Sequence, residues 1–389
     1  MMEPAPARAQ AGSPQPATGD AYQPAFDPRR ETQWWLMWRR FRQNRLSVFG
    51  LIVIGLFYLT MVCFPGFIAP YYHDRKFDDY VFAPPSKIRF VDEEGNFHWR
   101  PFIYGRKTEL DFYTLSWVFT EDPTSKHPIY FFVRGDSYRL FGFIPANIHL
   151  FGTITGEPIF LLGTDRLGRD LLSRIIYGGQ ISLTVGLVGV ILTIFLGTFL
   201  GTVSGYYGGT VDNIIQRVGE VLLSFPDIPL WAALAAAMPP DWSQITVFFG
   251  ISVILSLRNW SGLARQLRGK VLALRESEFV LAAKGLGASD LYVIFRHLIP
   301  STLSHIIVIA TLSIPGMILA ETALSFLGLG IQPPMASWGV LLQDAQQVSV
   351  VLNRPWLLLP GLFVVAAVLC FNFLGDGIRD AADPYMDHR

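Results

Sequence analysis

Four stretches of this chain run for twenty or more residues with almost no charge, and they exclude most folds at once. Residues 46–72, 175–211 and 356–375 contain no Asp, Glu, Lys or Arg, and 298–320 holds only His305 as a titratable group. A helix of about 20 mostly apolar residues crosses a bilayer, so each run reads as a membrane span. Composition agrees: 51% of the 389 residues are hydrophobic and 16% charged, against about 25% charged in soluble domains. With 31 basic and 31 acidic residues there is no cationic excess to hold nucleic acid. Cys63 and Cys370 lie inside apolar runs, which leaves no disulfide framework and no thiolate metal site.

Two further spans are weaker. Residues 242–257 are apolar but short, with Arg258 placed to snorkel to the interface, and 214–238 contains Arg217, Glu220 and Asp227. Counting both places two arginine-rich segments on the same side. One is the N-terminal flank with Arg29, Arg30, Arg39, Arg40, Arg42 and Arg45, and the other is the polar loop 258–300. The expectation is therefore an all-α membrane protein of six transmembrane helices with both termini cytoplasmic. Residues 1–33 read as a disordered cytoplasmic tail, and 34–72 as an interfacial helix followed by the first span. Residues 73–160 form an external insert of mixed charge in which runs such as 129–133 predict short strands. Residues 161–389 make a five-helix core. His73, His98, His127 and His149 are too scattered within the insert to assign a metal, and none is expected.

No nucleotide-binding loop is present: Gly269-Lys270 is followed by Val271, with Ala264 where the first glycine belongs. The informative segment is 278–300. It reads as a short helix that ends near Gly285 or Gly287, turns, and restarts with Ser289 as a cap. Ala282 and Ala283 give the helix a small face suited to docking in a groove of another protein, and Pro300 marks entry to the next span.

Ala282, Ala283, Gly287, Ile299 and Pro300 match in type and spacing the conserved cytoplasmic loop of ATP-binding-cassette importer permeases, with Leu281 in place of its glutamate and His297 in place of an isoleucine. With 296–300, 163–170, 205–209, 321–330, Trp338-Gly339 and 372–380, the chain resembles the dipeptide/oligopeptide branch of that family. The resemblance implies a MetI-like importer-permease fold and a non-catalytic subunit. Its coupling segment would comprise Glu278, Ala282, Ala283, Lys284, Gly285, Gly287 and Ala288. It also implies as partners a second homologous permease, two ATPase subunits that hold ATP and magnesium, an extracytoplasmic solute-binding protein and membrane lipid, in a bacterial inner membrane. Peptides are the expected cargo, with oligosaccharides, opines or nickel complexes as alternatives.

Other residues admit two readings. Pro226, Asp227 and Pro229 lie within the third span, where the prolines break the backbone ladder. Asp227 is then either a path-lining acid at a hinge, as an ion-coupled secondary transporter would need, or an acid tied to freed backbone groups. Glu321 carries the same pair of readings. Gly197, Gly201 and Gly205 share one helix face, for packing inside the chain or against a partner. Asp165, Arg166, Arg169, Asp170 and Arg174 alternate in sign, a pattern that predicts intrahelical pairing, with a gate or docking surface as the alternative reading.

Overall fold

The computed structural model describes residues 33–111 and 116–382; the expected tail before residue 33 lies outside them. The chain opens with α1 (Gln33–Gln43), and Asn44 then caps α2 (Arg45–Phe57) by accepting from the amides of Leu46 and Ser47. α2 continues through a π-helical turn to Cys63, completing a 19-residue span. Along α1, Trp38 stacks on Phe41, and Phe41 is buried.

After the short α3 (Pro65–Ile68) comes an antiparallel meander of β1 (Arg89–Val91), β2 (Phe97–Asp111), β3 (Ser116–Leu140) and β4 (Ile144–Thr153), in that spatial order. The strands are far longer than the sequence predicts. The charged and aromatic residues that interrupt any apolar alternation are paired across strands, as in Arg89 with Glu121 at 2.7 Å and Lys107 with Asp122 at 2.9 Å. Asp92 sits between Lys126 (2.8 Å) and His98 (2.9 Å), and these donors hold its carboxyl well below the usual range. Asp122, bonded by the Thr124 hydroxyl and Lys107, is lowered to about 2.

The helical body follows: α4 (Leu171–Tyr207), α5 (Gly209–Ser224), α6 (Asp227–Ala236), α7 (Gln244–Leu274), α8 (Glu278–Gly285), α9 (Asp290–Val293), α10 (Ile299–Phe326), α11 (Trp338–Leu342), α12 (Val348–Asn353) and α13 (Leu359–Ala382). Among the described residues five helical segments are long and apolar enough to cross a membrane, or six if the bent pair α5–α6 counts as one span. The third span is not a continuous helix over 214–238. It stops at Ser224, passes through extended Phe225 and Pro226, and resumes at Asp227 with the axis turned by 92°. Pro226 ends the first half by lacking the donor that would extend it. Pro229, in contrast, falls in the first turn of α6, where a missing amide costs nothing. It breaks no ladder.

The fourth span also differs from expectation. α7 does not end near Arg258 but runs on to Leu274, so the first half of the presumed loop 258–300 is helix. Its charges misled the hydropathy argument because they are spent on neighbouring helices. Arg258 pairs with Asp227, and Arg268 grips Asp212 of α5 through two bonds of 2.6 and 2.5 Å. The opposite face of this extension is apolar and meets the glycine stripe of α4. A Cβ on Gly201 would fall 2.6 Å from the Ala264 carbonyl oxygen, and one on Gly197 or Gly205 would strike Leu263 or Val271. The stripe therefore serves packing within the chain, and α4 is the central helix between α7 and α10.

At its N-terminal end α4 rises from a tight turn rather than from a helix, so the alternating charges there are not intrahelical pairs. Asp165 accepts from Arg169 Nε (2.8 Å), from Arg174 Nη1 (2.5 Å) and from the amides of Leu167 and Arg169, and Arg169 also reaches Asp74 (3.0 Å). Arg174 is among the largest fully buried side chains. Asp170 caps α4 through the Ser173 amide and hydroxyl, and burial pushes its carboxyl up to about 7. Nearby, Glu321 is buried and bonded by Ser182 (2.9 Å) and Ser325 (2.7 Å), while Trp338 donates from its indole to the Ile175 carbonyl and from its amide to Ser182. Glu321 thus ties α4, α10 and α11 together, and its full set of partners supports the structural reading of this acid.

Candidate functional site

At the C-terminal end of α4, residues 275–298 fold into a helical hairpin. α8 begins after Ser277, whose backbone is extended (φ −70°, ψ 151°). It ends in two bonds of defined spacing: the Gly287 amide to the Lys284 carbonyl (2.9 Å) and the Ala288 amide to the Ala283 carbonyl (3.0 Å). These are the paired closures of a Schellman cap, which needs a left-handed residue just past the helix. Gly287 supplies it with φ +85°, and Ala283 and Ala288 meet beneath it in one apolar cluster with Val280, Val293, Val271 and Tyr206. The spacing of the two alanines and the glycine is thus the spacing a sharp helix stop requires. Ser289 then caps α9 by accepting from Tyr292 (3.4 Å). A π-helical turn over Ile294–Leu298 precedes α10, where Pro300 offers no amide to the last carbonyls before it.

The hairpin is joined to the body through Tyr206. The Tyr206 hydroxyl donates to Asp290 Oδ1 at 2.5 Å, and the Lys284 ammonium lies 4.5 Å from the centre of its ring. Arg275 adds a longer bond of 3.4 Å to the Gly205 carbonyl. One side of the hairpin is therefore committed to α4. Its other side carries exposed Glu278, Phe279, Leu281, Ala282, Gly285, Leu286 and Leu291, with Leu286 90% exposed. Phe279, Leu281, Leu286 and Leu291 thus leave apolar side chains uncovered on this side of the hairpin. Tyr206, Phe279, Leu286 and Asp290 carry no role in the sequence reading. The only hint for Tyr206 is its place in the glycine-flanked 205–209 segment, and its partner is 84 positions away.

The second candidate group sits elsewhere. Pro226, Asp227 and Pro229 lie at the start of α6, which packs with α7 and α10 around Trp231 and Ala235. Asp227 is neither tied to freed backbone carbonyls nor unpaired, because it forms an ion pair with Arg258 of α7. The pair pins the bend between α5 and α6 against the neighbouring helix. The structure places these three residues and the hairpin on separate elements.

This arrangement has counterparts among known proteins. Residues 194–388 match the family described as binding-protein-dependent transport system inner membrane component, and residues 32–85 match the N-terminal TM domain of oligopeptide transport permease C. The oligopeptide transport system permease protein OppC of Haemophilus influenzae is 44% identical over 232 residues, which cover 59% of this chain and 72% of that protein. The dipeptide transport system permease protein DppC of Bacillus subtilis is 42% identical, over 58% of this chain and 68% of that one. The glutathione transport system permease protein GsiD of Pectobacterium atrosepticum is 40% identical, with 58% and 72% covered. The chain belongs to the family of binding-protein-dependent transport system inner membrane components, the permease subunits of ATP-binding-cassette importers. It is a multi-pass protein of the bacterial inner membrane.

Proposed function

We propose that this chain is one transmembrane half of a peptide importer, and that its 275–298 hairpin is the part an ATPase subunit grips. The carrying observation is the hairpin itself, capped by Gly287, fixed to α4 on one side and apolar on the other. In this reading both termini and the hairpin are cytoplasmic, and the sheet of residues 89–153 lies outside the membrane on the far side. The chain is not itself an enzyme. ATP and its magnesium belong to two ATPase partners, since no phosphate loop is present here.

Glu278, Ala282, Lys284, Gly285 and Gly287 form the rim and tip of the docking surface, and Ala283 and Ala288 hold its shape from beneath. Movement of the docked ATPase then turns the hairpin, and the Tyr206 contacts carry the displacement into α4 and the helices packed on it. A second, homologous permease completes the path and an extracytoplasmic solute-binding protein delivers the cargo. Peptide cargo is supported by the names of the relatives, which were given for oligopeptide, dipeptide and glutathione transport. The ion pair of Asp227 with Arg258 weighs against an ion-coupled mechanism, because the acid already has a fixed cation.

The test is cross-linking in the assembled transporter, with a cysteine at Leu286 and Cys63 and Cys370 replaced by serine. Capture of a nucleotide-hydrolysing subunit, together with peptide uptake that requires ATP, is the expected result. Uptake that proceeds without any such capture would overturn the docking assignment.

A further inference from the structure

We propose that the tip of the β3–β4 hairpin is a lipid anchor, seated in the headgroup–acyl boundary of the leaflet at the Cys63 end of the first span. The sheet exposes apolar side chains at several places, Phe97 and Trp99 among them, but at this tip they run consecutively and adjoin the first span. Leu140, Phe141, Gly142, Phe143 and Ile144 follow one another, and Phe141, Phe143 and Ile144 are all exposed, Phe143 by 72%. Two of the aromatic residues also occupy backbone conformations that bulky side chains avoid. Phe141 has φ 52° in the turn and Phe132 has φ 56° in β3. A tight turn is more easily made with Gly or Asn, so phenylalanine at φ > 0 is tolerated here at a backbone cost. Exposing it to water as well would compound that cost; placing it in lipid offsets it.

The location supports the same conclusion. Phe141 packs edge-on against Phe64 with ring centres 5.5 Å apart, and Phe132 lies 6.2 Å from Phe67, so these two exposed aromatics sit beside the end of the first span. Leu140 and Tyr138 share an apolar hollow of about 390 Å³ with Leu59, Thr60, Phe64, Phe67 and Ile68. Leu59 belongs to the span and is 51% exposed. It lies four residues before Cys63, the last residue of that span. The tip therefore continues a lipid-facing surface instead of starting a separate one.

Its depth is set by rigid contacts at the base of the hairpin. His149 bonds the Ala69 carbonyl at 2.6 Å, Asp136 pairs with Arg75 at 2.6 Å and accepts from the Tyr72 amide, and the Tyr138 side chain fills the space a Cβ on Gly66 would need. Arg139, exposed one residue before Leu140, stands where anionic phosphates of the headgroups would be. The unpaired edge of β4 cannot enter hydrocarbon, which limits insertion to the outermost 5–10 Å or so.

Spin labels test this in the full chain with Cys63 and Cys370 replaced by serine, in nanodiscs of phosphatidylethanolamine and phosphatidylglycerol. F143C and, independently, F132C carry the label; E94C in the turn before β2 and L369C on α13 serve as water and lipid references. At Phe143 in the tip, and at Phe132 in β3 beside Phe67, oxygen is expected to relax the label several-fold more than a water-soluble nickel chelate does, between the two references. Tip labels as open to the nickel chelate as the E94C label would overturn the anchor. So would labels that become shielded only when a second permease or a binding protein is added, since a protein would then be the true cover. The proposal requires only that the first span crosses the bilayer, so its failure leaves the docking assignment untouched.

Discussion

The two ends of α4 are built on opposite principles. At the N-terminal end, Asp165, Arg169 and Arg174 are buried in one ion-paired network that also reaches Asp74. At the C-terminal end, the polar contacts that tie the 275–298 hairpin to α4 are few and partly exposed, and an apolar face of the hairpin remains open. A buried ion network fixes geometry because breaking it leaves an uncompensated charge, whereas one hydroxyl and one ammonium over a ring permit small displacements. One end is a fixed mount, and under the proposed docking the other would be held just firmly enough to transmit a push.

The sharpest way to break this contrast is Asp165→Asn. It strands the buried Arg174 and should cost about 3–5 kcal/mol, seen as a collapse of the melting temperature in detergent. A variant that melts like the parent would show that the N-terminal end is not a fixed mount. Next in size is pH. Asp170 titrates near 7 in the folded chain and near the ordinary carboxyl value when unfolded, so the unfolded chain releases its proton first. Stability should fall as pH rises from about 4 to about 7, by at most about 4 kcal/mol, and level off above. Asp170→Asn should flatten that slope; an unchanged slope would place its origin elsewhere.

At the other end the effects are smaller in stability and larger in coupling. Tyr206→Phe removes the bond to Asp290 and should cost about 1.5 kcal/mol, the low end for a bond to a charged group. ATP hydrolysis by the complex should then outrun peptide uptake, while co-purification of the ATPase persists. Equal losses in both rates would argue against transmission through Tyr206. Gly287→Ala forces a Cβ into a left-handed conformation for about 1 kcal/mol and has open space around it, so melting should barely move. What should weaken is ATPase retention on an affinity column, because the cap that shapes the tip is distorted.

The spans were legible because hydrocarbon tolerates so little charge, and the hairpin was legible because a Schellman cap leaves its glycine at a fixed distance. The extension of α7 past Arg258 was not: charges that serve Asp227 and Asp212 on other helices look, in one dimension, like a solvated loop. The long strands were hidden for a similar reason, since Arg89 finds Glu121 only across the sheet. Tyr206 and Asp290 become partners only once α4 and the hairpin have packed. Pro229 misled in a different way, because a proline's effect depends on which turn of a helix it occupies, and that is fixed by where Pro226 ends α5.

α4 is one unbroken helix of 37 residues joining these two ends, with no proline along its length. At 1.5 Å per residue it is a lever about 55 Å long, and a tilt of about 10° about its N-terminal fulcrum sweeps the other end through roughly 10 Å. If an ATPase grips the hairpin as proposed, stiffness, more than any single contact, would let a modest stroke applied at Tyr206 be felt across the full thickness of the bilayer.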